Sequence, residues 1–236
     1  MEDNSLVSIG ENIWIIEGDI VSFYGFPYPT RSVVIRLQNG TVWIWSPVKL
    51  TNHVRQEVTA IGPPMHLVSP NKLHHLYLEN WQKEFPHARL WGPASTVRKR
   101  PDLSFEPALV HDPPCHWADQ IDQCWVRGSF MMDEIVFFHR RSRTVILADL
   151  SENFSNKWLF EHWRPWQRWL AHVSGITEGK GYAPHDWRST FLRRKVLRVA
   201  REKMLSWDPS MVVMAHGECQ FRNGREYLVR AFEWME

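Results

Sequence analysis

Short apolar runs with period-two patterning and two hairpins predict a mixed α/β protein. The first hairpin joins Ser32–Leu37 to Thr41–Trp45 across Asn39-Gly40, a pair that accepts the positive φ angles of a tight turn. The second joins Glu134–His139 to Thr144–Ala148 across a basic turn. Further strands are predicted at residues 13–16, 65–68, 88–91 and 211–215.

Helical spacing of apolar residues predicts helices between these strands, at residues 52–61, 76–85, 94–99, 158–169 and 188–207. Pro165 should break the fourth of them. The stretch Gly25-Phe-Pro-Tyr-Pro29 predicts a loop, because two prolines fix φ and lack amide donors. No repeat and no clear linker interrupts the chain, so we expect a single domain over residues 1–236.

Composition narrows the classes of partner. The 236 residues are 44% hydrophobic and carry a net charge of +2, which gives no strong field toward nucleic acid or an anionic membrane. Cys115, Cys124 and Cys219 are too widely spaced for a zinc ribbon or a redox pair. Met1–Ser5 is acidic and no apolar leader follows it. We therefore expect a cytoplasmic protein without nucleic-acid or membrane partners; the sequence leaves its oligomeric state undetermined.

Three apolar runs, far apart in the chain, end in side chains that can ligate a metal. Ser69-Pro-Asn-Lys-Leu-His-His75 follows one predicted strand, Asp149 ends Val145-Ile-Leu-Ala, and His216 follows Met211–Ala215. Strand ends that meet at one edge of a sheet are where α/β folds build sites. We expect these residues to converge there.

The order of these motifs resembles the metallo-β-lactamase fold, a four-layer αββα sandwich. Within that superfamily it is similar to the branch known as domain of unknown function 4336. The resemblance rests on four stretches spread over most of the chain: residues 69–75, Ile146-Leu-Ala-Asp149, Asp186-Trp-Arg188 and Ala215-His-Gly-Glu218.

The resemblance implies one metal site rather than two. At the positions of the first site's ligands this chain has Pro70, Lys72 and Phe130, which cannot bind a cation. The second site's positions hold residues that can all ligate a divalent ion: His74, His75, Asp149 and His216. Zinc fits this set best, and iron or manganese would also be accepted.

Several functions stay open at this stage. A mononuclear, metal-dependent hydrolase acting on a small molecule is favoured, with His74 serving as ligand or as general base. Lys72 either replaces the missing charge as an electrophile or extends into solvent. The alternatives are a metal-free hydrogen-bonded cluster in a binding protein, and a mononuclear-iron redox enzyme. The aromatic residues near 23–28 and 158–169 either line an apolar pocket or pack in the core.

Overall fold

The computed structural model describes residues 4–236 and places ten strands in two sheets. The strands are β1 (Leu6–Gly10), β2 (Ile13–Phe23), β3 (Phe26–Arg36), β4 (Val42–Trp45), β5 (Pro64–Val68), β6 (Arg89–Trp91), β7 (Ile121–Val126), β8 (Glu134–His139), β9 (Thr144–Leu147) and β10 (Met211–Met214). The first sheet has the order β1-β2-β3-β4-β5-β6 and the second β10-β9-β8-β7.

Residues 4–236 also contain eight α-helices. They are α1 (Asn52–Ile61), α2 (Leu78–Glu84), α3 (Ala94–Lys99), α4 (Asn156–His162), α5 (Pro165–Ser174), α6 (His185–Arg188), α7 (Arg194–Ser206) and α8 (Gly224–Ala231). Buried residues of α1 and α2 pack against the first sheet, and those of α7 and α8 pack against the second. The layers are therefore helix, sheet, sheet, helix, which is the four-layer αββα sandwich predicted from the sequence.

Alternation along the strands supplies two apolar faces to each sheet. In β4, Trp43 and Trp45 point into the core between the sheets, while Val42 and Ile44 point to α1 and α2. In β8, Phe137 points between the sheets and Phe138 toward α7. Because both faces of these strands are buried, their sequences are continuous apolar runs instead of alternating apolar and polar residues.

Both predicted hairpins are confirmed. Val33 pairs with Trp45 and Arg36 with Val42 in the first, and Phe137 pairs with Ile146 in the second. The chain also breaks at Pro165, which becomes the first residue of α5, where its missing amide donor is not needed.

The predicted loop at Gly25–Pro29 is wrong. Residues 26–29 are the first part of β3 and pair with β2, with Ser22 opposite Pro27 and Ile20 opposite Pro29. β3 meets β4 only from Val33 onward, so the prolines lie where the strand has a neighbour on one side. A missing amide donor costs little at such an edge.

One helix boundary and several whole elements also differ from the sequence prediction. The helix expected at 188–207 begins only at Arg194, because Phe191 bridges to Ser129 and the chain is extended there. Strands β1 and β7 and helix α8 were not predicted. Residues 1–3, from the acidic segment expected to carry no leader, lie outside the described residues. Among residues 4–236, no helix is long and apolar enough to cross a bilayer.

The buried His139, at the end of β8, predicts a loss of stability in acid. Burial, with Arg141 nearby, lowers the pKa of His139 to about 4. As the pH falls from about 6.5 to 4 the unfolded state takes up this proton first, so stability is lost in that window. The side chain of His139→Asn can still reach Ser142. Between pH 7 and pH 4 we expect the free energy of unfolding of this variant to fall by about 2 kcal/mol less than that of the unaltered protein.

Urea denaturation at the two pH values measures this difference. The exposed His172→Asn is the matched control and should retain the pH dependence of the unaltered protein. An unchanged pH dependence in His139→Asn would contradict the prediction.

Candidate metal centre

The ends of three strands bring His74, Asp149 and His216 together. β9 and β10 are parallel neighbours with Leu147 opposite Met214, so Asp149 and His216 leave the sheet side by side. The turn after β5 brings His74 to them from the first sheet. One ligand atom from each residue lies within 4.8 Å of the other two, and among residues 4–236 no other group of three His, Cys, Asp or Glu does so.

The distances suit a shared cation. His74 Nε2 lies 3.3 Å from Asp149 Oδ2, and His216 Nε2 lies 3.4 Å from Asp149 Oδ1. The two imidazoles thus approach different oxygens of one carboxylate, and one ligand atom from each of the three residues lies within 4.8 Å of the others. A divalent ion that binds its ligands at about 2.0–2.2 Å would draw these atoms closer together.

Each imidazole is oriented through its other nitrogen. His216 Nδ1 donates to the Pro29 carbonyl oxygen at 2.8 Å, and His74 Nδ1 lies 2.8 Å from Ser46 Oγ. Metal-binding histidines commonly have such an outer partner, which fixes the ring and its tautomer. Both Nε2 atoms are therefore directed at Asp149.

Asn71 and Glu134 hold Asp149 from behind. The Asn71 amide donates to Asp149 Oδ2 at 2.6 Å and to Glu134 Oε2 at 3.0 Å. The fully buried Glu134 carboxyl also accepts from the amides of Ala148 and Asp149. These contacts fix the position at which the chain leaves β9.

Among residues 4–236, the buried carboxyl groups of Asp149, Glu134 and Glu152 form no ion pair with a Lys or Arg. Burial opposes ionisation of Asp149, but the imidazoles of His74 and His216 outweigh it and hold its pKa below the ordinary value. Burial and Asp149 raise the pKa of both Glu134 and Glu152. A bound divalent cation would offset this concentration of acid groups.

His75 does not join the group. Its neighbour His74 points to Asp149, and consecutive residues in this turn point in different directions. Arg100 Nη1 lies 3.4 Å from His75 Nδ1 and donates to the His75 carbonyl oxygen. Burial, then Lys99 and Arg100, lower the pKa of His75 to about 4. Of the four residues expected to be ligands, the structure therefore brings three together and places His75 apart from them.

Pro70, Lys72 and Phe130, at the positions of the metal site that the sequence predicts to be absent, have different surroundings. Lys72 Nζ donates to the Met131 carbonyl oxygen at 2.6 Å, in the segment before β8. The Phe130 side chain is 77% exposed. The Pro70 carbonyl oxygen accepts from the Ile135 amide. Lys72 thus connects the turn that contains His74 to the segment that precedes β8 of the second sheet.

The first half of β3 lies against the group of His74, Asp149 and His216. Its residues 26–29 belong to the stretch that was expected to be a loop. The Tyr28 ring lies 5.0 Å from the His216 ring, and its hydroxyl donates to Glu152. The buried Arg31 guanidinium donates to the carbonyl oxygens of Met214 and Gly217 on either side of His216. β3 therefore joins the two sheets at the site.

Gly217 is required by the close approach of another segment. Its φ is +87°, and a Cβ there would lie 2.4 Å from the Asn153 carbonyl group. The Asn153 amide donates to the His216 carbonyl oxygen, and the Asn153 carbonyl accepts from Glu218. The His-Gly pair thus lets the segment after Asp149 pass directly over the end of β10.

Sequence reasoning missed Asn71, Glu134, Glu152 and Arg31, and it included Tyr28 only as part of the aromatic stretch 23–28. Only Glu134 carried a signal, since a carboxylate directly ahead of the apolar run Ile135–Phe138 needs a partner if it is buried. The others act through contacts between residues distant in sequence.

Replacing Asn71 by Asp should place a third acid against Asp149 and Glu134. We expect the free energy of unfolding at pH 7 to fall by about 3 kcal/mol, as for an unpaired buried charge. The loss should shrink toward pH 5, because protonation relieves the repulsion. Urea denaturation with a chelator present measures it without a metal contribution.

Asn71→Ala is the control. It removes the same hydrogen bonds without adding charge, so its loss should be smaller, about 1–2 kcal/mol, and should differ little between the two pH values. Equal losses with equal pH dependence would contradict the account of Asn71.

Comparisons with known proteins agree with the fold. Residues 10–158 match the model of the family described as Domain of unknown function (DUF4336). No curated protein matches the chain in sequence. Solved structures with the same fold span nearly the whole chain at low identity, so they establish the fold alone.

One is the DIM-1 metallo-β-lactamase exposed to ceftazidime, with a TM-score of 0.65 and 13% identity over 98% of this chain and 95% of that one. The FIM-1 metallo-β-lactamase from Pseudomonas aeruginosa, in its mono-zinc form, has a TM-score of 0.61 and 10% identity over 98% and 94%. Rubredoxin oxygen:oxidoreductase from Desulfovibrio gigas has a TM-score of 0.64 and 11% identity over 98% and 60%. The chain belongs to the DUF4336 family, and its fold is that of the metallo-β-lactamases.

Proposed function

We propose that this protein binds one divalent metal ion through His74, Asp149 and His216 and acts as a mononuclear, metal-dependent hydrolase. The observation that carries the proposal is the convergence of three ligand atoms with both imidazoles oriented from outside. Three protein ligands leave a coordination position open, which distinguishes catalytic from structural zinc sites. The fold itself does not decide the reaction.

The protein's own residues would prepare the site for this chemistry. Asn71 and Glu134 fix the Asp149 carboxylate, while Ser46 and the Pro29 carbonyl fix the two imidazoles. The side chains of His74, Asp149 and His216 are nearly buried, and the exclusion of water strengthens electrostatic interactions there. When bound, a divalent ion supplies a more acidic water and polarises a substrate oxygen.

Zinc is the ion we propose first, with manganese as a further option. A second candidate function follows from the donor set itself. Two histidines and one carboxylate are the ligands of mononuclear non-haem iron enzymes, so iron-dependent redox chemistry is the alternative. A metal-free binding protein is the remaining one, in which Asp149 is held only by hydrogen bonds.

Metal content of the purified protein tests the proposal. We expect one ion per chain after dialysis against zinc, manganese or ferrous salts, measured by elemental analysis. His74→Ala, Asp149→Asn and His216→Ala should each lower the affinity by at least about 10-fold to 100-fold, because each removes or weakens a ligand. Preferential retention of iron, with oxygen consumption, would favour the redox alternative.

His75→Ala is the matched control in the same turn. It should bind the metal as the unaltered protein does, since His75 lies against Arg100 and outside the group. If no stoichiometric metal is found under any condition, the proposal is wrong and the metal-free alternative holds. Loss of metal in His75→Ala alone would contradict the assignment of His74.

Lys72 is the proposed contact for an anionic substrate group, on release from the Met131 carbonyl oxygen. We expect Lys72→Met to lower kcat/KM for a chromogenic ester or phosphodiester about 100-fold, the usual effect of losing one electrophilic donor. Its metal content should not change. An unchanged kcat/KM would show that Lys72 only holds the turn in place.

A further inference from the structure

The outward face of α5 is more apolar than its inward face. Trp166, Trp169, Leu170 and Val173 lie at helical spacing on the outer side, with exposed fractions of 53%, 64%, 37% and 58%. We call these four residues the α5 stripe. A surface helix normally directs its apolar stripe to the core, so this one is reversed.

Polar contacts explain how the inner face is held. The buried Gln167 donates to the Gly25 carbonyl oxygen and accepts from the Arg164 amide, and the small Ala171 packs beside it. These contacts anchor the inner face of α5. The α5 stripe is only partly covered by residues 4–236, so between 37% and 64% of each of its residues is open to another molecule.

The hairpin tip between β2 and β3 adjoins this surface. The ring of Trp166 lies 5.4 Å from that of Phe26, and the Gln167 contact joins α5 to Gly25. Tyr24, at the tip, is 90% exposed with φ +48°, an uncommon conformation for a residue with a bulky side chain. The tip therefore presents an aromatic ring next to the α5 stripe.

The exposed aromatic area is about half of what one protomer of a standard dimer contributes. The exposed fractions of Trp166, Trp169 and Tyr24 correspond to on the order of 400 Å² of aromatic surface, and Leu170 and Val173 add to it. A standard interface buries about 800 Å² per partner, of which about two thirds is apolar at its core. Tryptophan, tyrosine and arginine are also the side chains that dominate binding energy at such interfaces.

Charge favours a second copy of this chain over a membrane surface. Residues 156–174 contain three Lys or Arg and one Glu, fewer cations than the clusters that bind anionic lipids. In an antiparallel pairing of α5 with its copy, Arg164 at one end would lie beside the partner's last turn, where the helix dipole is negative. The same patch on both chains gives a closed two-fold interface.

We propose that the α5 stripe and Tyr24 form the interface of a symmetric homodimer. The proposal is independent of the proposed metal chemistry. Side chains at positions i, i+3, i+4 and i+7 form ridges on a helix surface, and the ridges of one helix pack into the grooves of another. Two copies of α5 would pack in this way. The exposed tryptophans of this segment thus form a contact between chains and not a pocket wall.

Sedimentation velocity of the full chain, over about 1 to 100 µM, tests the proposal. We expect twice the chain mass of 28.0 kDa, with dissociation on dilution. Trp169→Glu and Leu170→Glu should each raise the dissociation constant at least about 30-fold, because each puts an unpaired charge at the centre of the interface. Phe221→Glu, at a similarly exposed aromatic residue elsewhere, is the control and should dimerise normally.

Circular dichroism and metal content check that the variants are intact, and both should be unchanged. A chain that stays monomeric at the highest concentration would overturn the proposal. So would a dimer that Trp169→Glu and Leu170→Glu leave unaltered. Binding of a monomer to vesicles with anionic lipid, lost in Trp169→Glu, would assign the stripe to a membrane surface instead.

Discussion

The buried Asp149 carboxylate is the group on which the surrounding structure depends. A buried charge is tolerated only when other groups compensate it. Asp149 meets imidazoles at 3.3 and 3.4 Å and the Asn71 amide at 2.6 Å, while its own amide donates to Glu134. These partners come from the turn after β5 and the ends of β8 and β10, so both sheets must be in place before Asp149 is satisfied.

β3 makes this arrangement possible by reaching across the two sheets. Its Pro29 carbonyl orients His216, its Tyr28 packs on that ring, and its Arg31 holds the carbonyls beside it. The same extension carries the Tyr24 tip out to α5. A series of ring contacts, from Trp166 through Phe26, Trp163 and Tyr28, connects the proposed dimer surface to the candidate metal ligand.

Much of the fold was predictable because local patterns coincide with tertiary burial. The Asn39-Gly40 turn, the apolar runs of β4, β8 and β9, and the proline at the start of α5 are local signals. Pro27 and Pro29 were misread because a proline reports only its own missing donor. Whether that donor has a neighbouring strand depends on β4, which pairs with β3 only from Val33 onward.

The sequence by itself determined most of the strands and helices, and it placed His74, Asp149 and His216 after apolar runs. That β9 and β10 are neighbouring strands was decided by the tertiary structure. The sequence also determined the absence of ligating side chains at Pro70 and Phe130. Tertiary structure alone decided between His74 and His75, since adjacent residues in a turn diverge and only packing against Ser46 or Arg100 selects one. It likewise decided that Glu134 is buried and that Trp166 and Trp169 are exposed, because burial depends on which elements pack together and not on the residue type.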